Sequence, residues 1–305
     1  MLLKRIKKMI VYRKIKQRKK MFAKHPVTKN HRNKALFRYV VFNFKNRITK
    51  NITYKWVGGL KFYASKGDGG IVGNIYFGLY EFYESIFLIH FLREEDTFLD
   101  VGANIGHYAL LASGVSKCNT IAIEPVPSTF KRLNDQIELN KLSNKIETLN
   151  IGVADKSDYL FFSTDKTTMN KVVDETYKEA VKVQVKAIDS LDGSETFNLM
   201  KIDVEGFEKF VLNGSSSTLK SDSLKAIIIE INFSNQFYGV ENVEILDILL
   251  SYNFHPYRYD PIHRELIKLE SYNKEQFNTI FIKNYDFVMN RINDSKKIKV
   301  WNTYF

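Results

Sequence analysis

No acidic side chain occurs before Asp68, whereas 21 Lys or Arg precede it. A stretch carrying one sign of charge has no internal ion pairs and repels itself. The rest of the chain holds all 34 acids and only 25 of the 46 Lys and Arg, so the overall charge of +12 describes neither part. This division excludes a uniformly basic nucleic-acid binder. It predicts a basic extension over residues 1–66 and a mildly acidic globular body over 67–305.

At 44% hydrophobic and 14% aromatic, the chain has enough apolar surface for a sizeable core, which excludes wholesale disorder. The single Cys118 excludes a disulfide framework and a cysteine-based zinc site, and fits a reducing, cytoplasmic setting. Apolar runs such as Ile86–Ile89 and Ile227–Ile229 fall far short of the roughly 20 residues that span a bilayer. The N-terminus lacks the apolar stretch of a secretory signal. Leu2, Leu3, Ile6, Met9 and Ile10 fall on one helical face among lysines, with Pro26 closing the segment. Such a basic amphipathic helix over residues 1–24 suits an anionic membrane surface, at the inner face of a membrane, and its alternatives are a solvated extension and a nucleic-acid arm.

The remaining pattern alternates. Residues 35–65 read as short strands or helical turns, Lys66–Gly73 as a flexible glycine loop, and 79–92 as an amphipathic helix. Strands are expected at Thr97–Val101, Thr120–Ile123, Lys145–Leu149, Phe197–Asp203 and Leu224–Ile231. Helices are expected at Ile105–Ser113, Ser128–Asn140, Gly206–Leu212 and Val243–Ser251. Tyr159–Ser163 and Val181–Ala187 read as an inserted hairpin, and Glu265–Leu269 and Thr279–Lys283 as late strands. Repeated strand–helix alternation implies a doubly wound α/β sheet with an antiparallel ending.

Three stretches carry chemistry. Phe98-Leu99-Asp100-Val101-Gly102-Ala103-Asn104-Ile105-Gly106 is a strand, a glycine-bearing turn and a helix start. The glycines permit a sharp turn and close ligand approach, and the helix start offers free N–H groups. Glu124 ends the next strand, so in a doubly wound sheet it lies beside the turn and suits two ribose hydroxyls. The spacing differs from the G-x-G-x-x-G that admits a dinucleotide pyrophosphate, and Asp100 would repel one. A carboxylate there favours a ligand with an ammonium group, such as the methionine moiety of S-adenosylmethionine. The second stretch, Met200-Lys201-Ile202-Asp203-Val204-Glu205-Gly206-Phe207-Glu208, aims Asp203 and Glu205 at the same crevice. The third, Ile227-Ile228-Ile229-Glu230-Ile231-Asn232, places a carboxylate in an apolar strand. That placement is costly unless the group is paired, metal-bound or catalytic.

These motifs, in this order, resemble the FkbM family of S-adenosylmethionine-dependent methyltransferases across about residues 79–255. Tyr80-Glu81 and Ile188-Asp189-Ser190-Leu191 add to the resemblance, the latter with Ile in place of the usual Leu. The resemblance implies a Rossmann-like class I methyltransferase fold and methyl transfer, usually to oxygen. Carried over by position, Glu81, Asp100, Gly102, Asn104 and Gly106 would bind cofactor, with Glu124 at the ribose and Asp155 toward adenine.

A hydroxyl acceptor must lose its proton, so a base or a metal ion assists. Asp203 is the preferred base, with Glu205 and His107 as further catalytic candidates. Asp203, Glu230 and Asn232 form an alternative oxygen-ligand set for a divalent cation such as Mg. A structural reading pairs Glu230 with Lys201 instead. The expected acceptor is a sugar or glycan-precursor hydroxyl, or another small molecule, as in bacterial polysaccharide biosynthesis. The rivals are an RNA methyltransferase using the basic arm and a non-catalytic scaffold.

Overall fold

The computed structural model describes residues 2–49, 52–165 and 170–305, with side chains from Arg13 onward. The chain forms two compact units. One comprises Met1–Phe82 with Ile298–Phe305, the other Tyr83–Lys297. The 66/67 position chosen from composition falls within the first unit.

The first unit holds three helices and a hairpin. Helix α1 (Leu2–Lys24) covers the basic segment, and the apolar face read over Leu2–Ile10 lies outside the described side chains. Its end is anchored by His25, whose Nε2 meets the Leu79 carbonyl at 2.8 Å. Burial pushes the His25 imidazole down to about 4, so it is neutral at physiological pH. Helix α2 (Arg32–Lys45) and the antiparallel pair β1 (Ile52–Lys55) and β2 (Lys61–Ala64) follow. The supposed flexible loop at Lys66–Gly73 instead runs into helix α3 (Gly69–Phe77). One of its glycines serves packing: a Cβ on Gly73 would stand 2.5 Å from the Tyr80 ring, whereas one on Gly70 would meet open space. Lys299–Val300 and Thr303–Tyr304 close the unit as a short antiparallel pair.

Helix α4 (Phe82–Phe91) leads into the second unit. It is buried nearly all round rather than amphipathic, and Glu84, Ser85 and His90 are buried with it. His90 Nδ1 meets the Tyr259 hydroxyl at 2.7 Å, so one polar group inside this helix is bonded across the fold.

The second unit is a doubly wound sheet. The N-terminal half runs β3 (Thr97–Val101), α5 (His107–Leu111), β4 (Asn119–Ile123), α6 (Pro127–Leu139) and β5 (Ile146–Leu149). Four strands then form a separate sheet: β6 (Gly152–Val153), β7 (Asp158–Ser163), β8 (Val172–Val173) and β9 (Ala180–Lys186), in the order β6-β9-β7-β8. The main sheet resumes with β10 (Leu199–Ile202), α7 (Glu208–Asn213), α8 (Ser216–Lys220), β11 (Ala226–Glu230), α9 (Asn242–Ser251), β12 (His255–Asp260), β13 (Glu265–Lys268) and β14 (Asn278–Ile282). Helix α10 (Tyr285–Asn293) completes the unit. The sheet order is β13-β12-β14-β11-β10-β3-β4-β5. Strands β5, β4, β3, β10 and β11 are parallel, and β14 enters antiparallel between β11 and β12. This is the Rossmann-like α/β class that the sequence implied, with its antiparallel late strand.

Ile227, Ile228 and Ile229 are fully buried in β11, as an interior strand covered on both faces requires. The chain leaves β3 toward β4 on one side, and β10 pairs on the other, so winding reverses between β3 and β10. A crevice opens at the carboxyl ends of strands at such a reversal.

The Ile188–Leu191 motif braces this half. Asp189 accepts from Ser217 N at 2.8 Å, Thr218 N at 2.9 Å, Thr218 Oγ1 at 2.8 Å and Ser216 Oγ at 3.2 Å. Burial alone would raise its carboxyl, but these donors outweigh it and hold the group below its ordinary value. Asp189→Ala is expected to cost about 1–2 kcal/mol, read as a lower Tm by circular dichroism at pH 7. Because the folded pKa is depressed, this contribution is present above the unfolded value of about 4. The difference between wild type and variant should shrink as pH falls through the folded value. A difference that persisted unchanged in acid would contradict the capping role.

Candidate active site

The turn after β3 is fastened from both sides. Gly102 N and Ala103 N donate to the Ile123 carbonyl at 3.0 and 2.8 Å, and Asp203 N donates to the Val101 carbonyl at 3.0 Å. Gly102 has φ +81°, and a Cβ there would stand 1.9 Å from the Asp203 carbonyl oxygen. Only glycine permits both the left-handed backbone and this approach. Its bare face is therefore filled by the β10 turn.

Asp100 is 1% exposed, and its Oδ2 accepts from Ala109 N at 3.0 Å, tying β3 to α5. Glu124, at the end of β4, is 7% exposed. One oxygen accepts from Asn104 N and the other from Val126 N, each at 3.0 Å. Asn150 Nδ2 holds this loop by donating to the Glu124 and Pro125 carbonyls at 2.8 and 3.0 Å. Burial pushes the Glu124 carboxyl up to about 7. The Val126 and Asn104 amides oppose the rise and the Asp100 charge adds to it. A carboxylate has about four acceptor sites, so each Glu124 oxygen retains capacity for a ligand hydroxyl.

The second constellation lies against the first through Gly102. Lys201 is fully buried beside Asp100 in the β10–β3 register. Its Nζ reaches Asp203 Oδ2 at 3.1 Å and the Ile202 carbonyl at 3.3 Å. Glu230 closes β11 and lies close enough to Asp203 to feel its charge. Its carboxyl is raised well above the ordinary range, first by the Asp203 charge and then by burial, with Lys201 opposing. Glu230 thus keeps its proton beside the Lys201–Asp203 ion pair. This differs from the expected simple Glu230–Lys201 pair, because Asp203 lies between the two chemically.

The oxygen-ligand set Asp203, Glu230 and Asn232 does not fit a divalent cation here. The Lys201 ammonium already pairs with Asp203, and Glu230 keeps a proton. Asn232 Oδ1 accepts from Ser234 N at 2.6 Å, capping the turn at Phe233–Tyr238. Among the described residues, no group of three or more His, Cys, Asp or Glu is placed to hold a metal ion.

His107 begins α5 and its Nε2 lies 2.9 Å from Ser85 Oγ. Burial, with the Lys201 charge adding, pushes its imidazole down to about 3, so it is neutral at working pH. It is half-buried, with its ring turned to Ser85. Glu205 occupies the β10 turn with φ +56° and is half-buried. Asp155 is exposed after β6, and Glu81 lies in the bend before α4, within the first unit.

Sequence reasoning passed over Glu208. It is 1% exposed, and its Oε1 accepts from Val204 N at 3.1 Å and Gly206 N at 3.2 Å. It shapes the turn that carries Asp203 and Glu205. The signal was an acid directly after the glycine turn, at the helix start where free N–H groups gather.

A family model described as the methyltransferase FkbM domain matches residues 100–256. The chain belongs to the FkbM methyltransferase family. Among its relatives, Hexuronic acid methyltransferase AglP of Haloferax volcanii is 30% identical over 148 residues, 48% of this chain and 59% of that protein. Methyltransferase 1 of Beauveria bassiana is 32% identical over 39% of this chain and 59% of its own length. The chain thus spans about 59% of the length of these curated relatives. A solved structure, P. horikoshii TYW2 in complex with MeSAdo, is 13% identical with a TM-score of 0.42, covering 81% of this chain and 84% of that one.

Two outcomes follow for this FkbM site. Gly102→Ala should destabilise the protein by about 3 kcal/mol or more, because φ and the Asp203 carbonyl both oppose a Cβ. Glu230→Gln should change the alkaline limb of stability. With its folded pKa raised, Glu230 contributes stability that is fully present below its unfolded value of about 4.3 and lost as pH rises through the folded value. Denaturant unfolding across pH 5–10 should show the variant losing less stability than wild type. Parallel curves would refute the proton held on Glu230.

Proposed function

We propose that the protein is an S-adenosylmethionine-dependent O-methyltransferase acting on a hydroxyl of a sugar or glycan precursor. The observation that carries this reading is the contact of Gly102 with the Asp203 carbonyl. It sets the cofactor-type turn directly beside a carboxyl pair.

The residues fit the cofactor. Glu124 offers acceptor capacity at a strand end, as two ribose hydroxyls require, and it is fixed by two backbone amides. The turn of Gly102 through Gly106, at the end of β3, is proposed to receive the methionine end, with Asp100 as the nearby negative charge. When bound, S-adenosylmethionine supplies an electrophilic methyl on a sulfonium. The chain's own task is to orient the acceptor and take a proton.

Asp203 is the residue proposed to take that proton, as it is partly exposed where Lys201 is not. Lys201 positions Asp203 from within the sheet. Glu230 positions it from β11. Neutral His107, with Ser85, is proposed to contribute shape and a polar contact rather than charge. The acceptor class is supported by the hexuronic acid methyltransferase among the relatives. Glu81 and Asp155 remain proposed cofactor contacts by family position.

The basic first unit supports work at an anionic membrane surface, and no helix among the described residues is long and apolar enough to cross one. Cosedimentation with phosphatidylglycerol vesicles but not phosphatidylcholine vesicles is the expected result.

The test of the reaction is mass spectrometry of nucleotide-uronates and uronate-containing glycans incubated with labelled cofactor. A methylated product is expected, and Asp203→Asn should lower kcat by about 100-fold. Transfer unaffected by Asp203→Asn would remove the assigned base.

A further inference from the structure

The first unit contains a cavity of about 560 Å³, bounded by α2, β1, the turn after it, α3 and the chain's last residues. Its volume is that of a small-ligand site. The walls are aromatic, with Tyr54, Trp56 and Trp301 among them, and the charged groups are all cationic, Arg38, Lys55 and Lys299, with Asn74 a neutral polar neighbour. No acid lines it. The whole first unit carries 22 Lys or Arg and only Asp68 and Glu81 as acids.

Arg38 is the decisive group. Its guanidinium lies 4.1 Å from the centre of the Trp301 ring. Burial lowers its pKa from the ordinary value, with no carboxylate offsetting the loss of water. Among the described residues, no ion pair reaches it. A half-buried guanidinium normally finds an anion, and this one has only an aromatic face. Trp56 is fixed with its Nε1 donating to the Gly78 carbonyl at 2.8 Å, so its ring is a rigid wall.

We propose that this cavity binds an anionic saccharide, with Arg38 and the neighbouring lysines taking its carboxylate or phosphate and the tryptophans stacking on the sugar ring. Guanidinium and carboxylate or phosphate are matched in geometry as well as charge. The apolar face of a sugar ring suits an indole. The enclosed volume favours one or two sugar units over a polynucleotide chain, which needs an extended groove. This site deepens the sugar-methylation reading, since it would hold a charged part of a glycan, and it rests on that reading for its biological purpose.

The chain's two tryptophans, Trp56 and Trp301, both line the cavity. Intrinsic fluorescence of the full chain therefore reports on it directly. Titration with digalacturonate should give a saturable change in tryptophan emission that weakens with added salt. The corresponding neutral disaccharide should bind roughly tenfold or more weakly, and Arg38→Gln should weaken digalacturonate binding by a similar factor. Inorganic phosphate that competes with digalacturonate would show the anion subsite to accept phosphate as well as carboxylate, in support. Equal response to neutral and charged disaccharides, or no response to digalacturonate, would overturn the proposal. A length-dependent response to poly-U at concentrations where digalacturonate has none would also overturn it, in favour of nucleic acid. The charge comparison uses the wild-type protein, so a poorly folded variant does not blunt the test. The titration needs neither cofactor nor transfer. A negative result leaves the methyltransferase reading intact, and a failed transfer assay leaves this one intact.

Discussion

The site depends on one backbone contact, Gly102 against the carbonyl of Asp203. Parallel pairing of β3 with β10 brings the two strand ends level, and the absent side chain lets their turns touch. Everything chemical is hung from that junction. Glu124 is fixed by the amide of Asn104, two residues past Gly102. Asp203 leaves the same junction toward Lys201 and Glu230. A bulkier residue at 102 would separate the cofactor-type turn from the carboxyl pair.

Electrostatics explains why the cluster tolerates burial. Lys201 is removed from water, which is costly, and breaking a buried pair by removing one partner typically costs about 3–5 kcal/mol. Asp203 supplies the partner, and Glu230 resolves the surplus negative charge by keeping a proton. The same logic appears at Glu124 and Glu208, both raised to about 7 by burial and both held by backbone amides. Carboxyls near neutrality can change charge when a ligand arrives, which suits the proposed tasks of holding hydroxyls and moving a proton.

Much of this was legible in the sequence. The strand–turn–helix at Phe98–Gly106, the acid at Glu124 and the apolar strand ending at Glu230 each encode their position through a period or a glycine. The alternation gave the sheet, and the ordered motifs gave the family. Contacts between distant segments were not legible. Nothing local shows that Gly102 meets Asp203 or that His107 turns to Ser85. The glycines at Lys66–Gly73 read as a loop because close packing and flexibility call for the same residue. Helix α4 read as amphipathic because burial of Glu84, Ser85 and His90 is decided by partners such as Tyr259, far along the chain.

The central proposal is that Glu124 holds the ribose and the Gly102 turn the methionine end of the cofactor. Calorimetric titration of S-adenosylhomocysteine into the intact protein and into Glu124→Ala tests it most directly. The account predicts one-site binding by wild type that weakens as pH falls below about 7, where Glu124 takes a proton. It predicts a loss of about 1.5–3 kcal/mol in Glu124→Ala with that pH dependence abolished. Absence of binding by the wild-type protein, or equal binding and pH profiles for the two proteins, would contradict it.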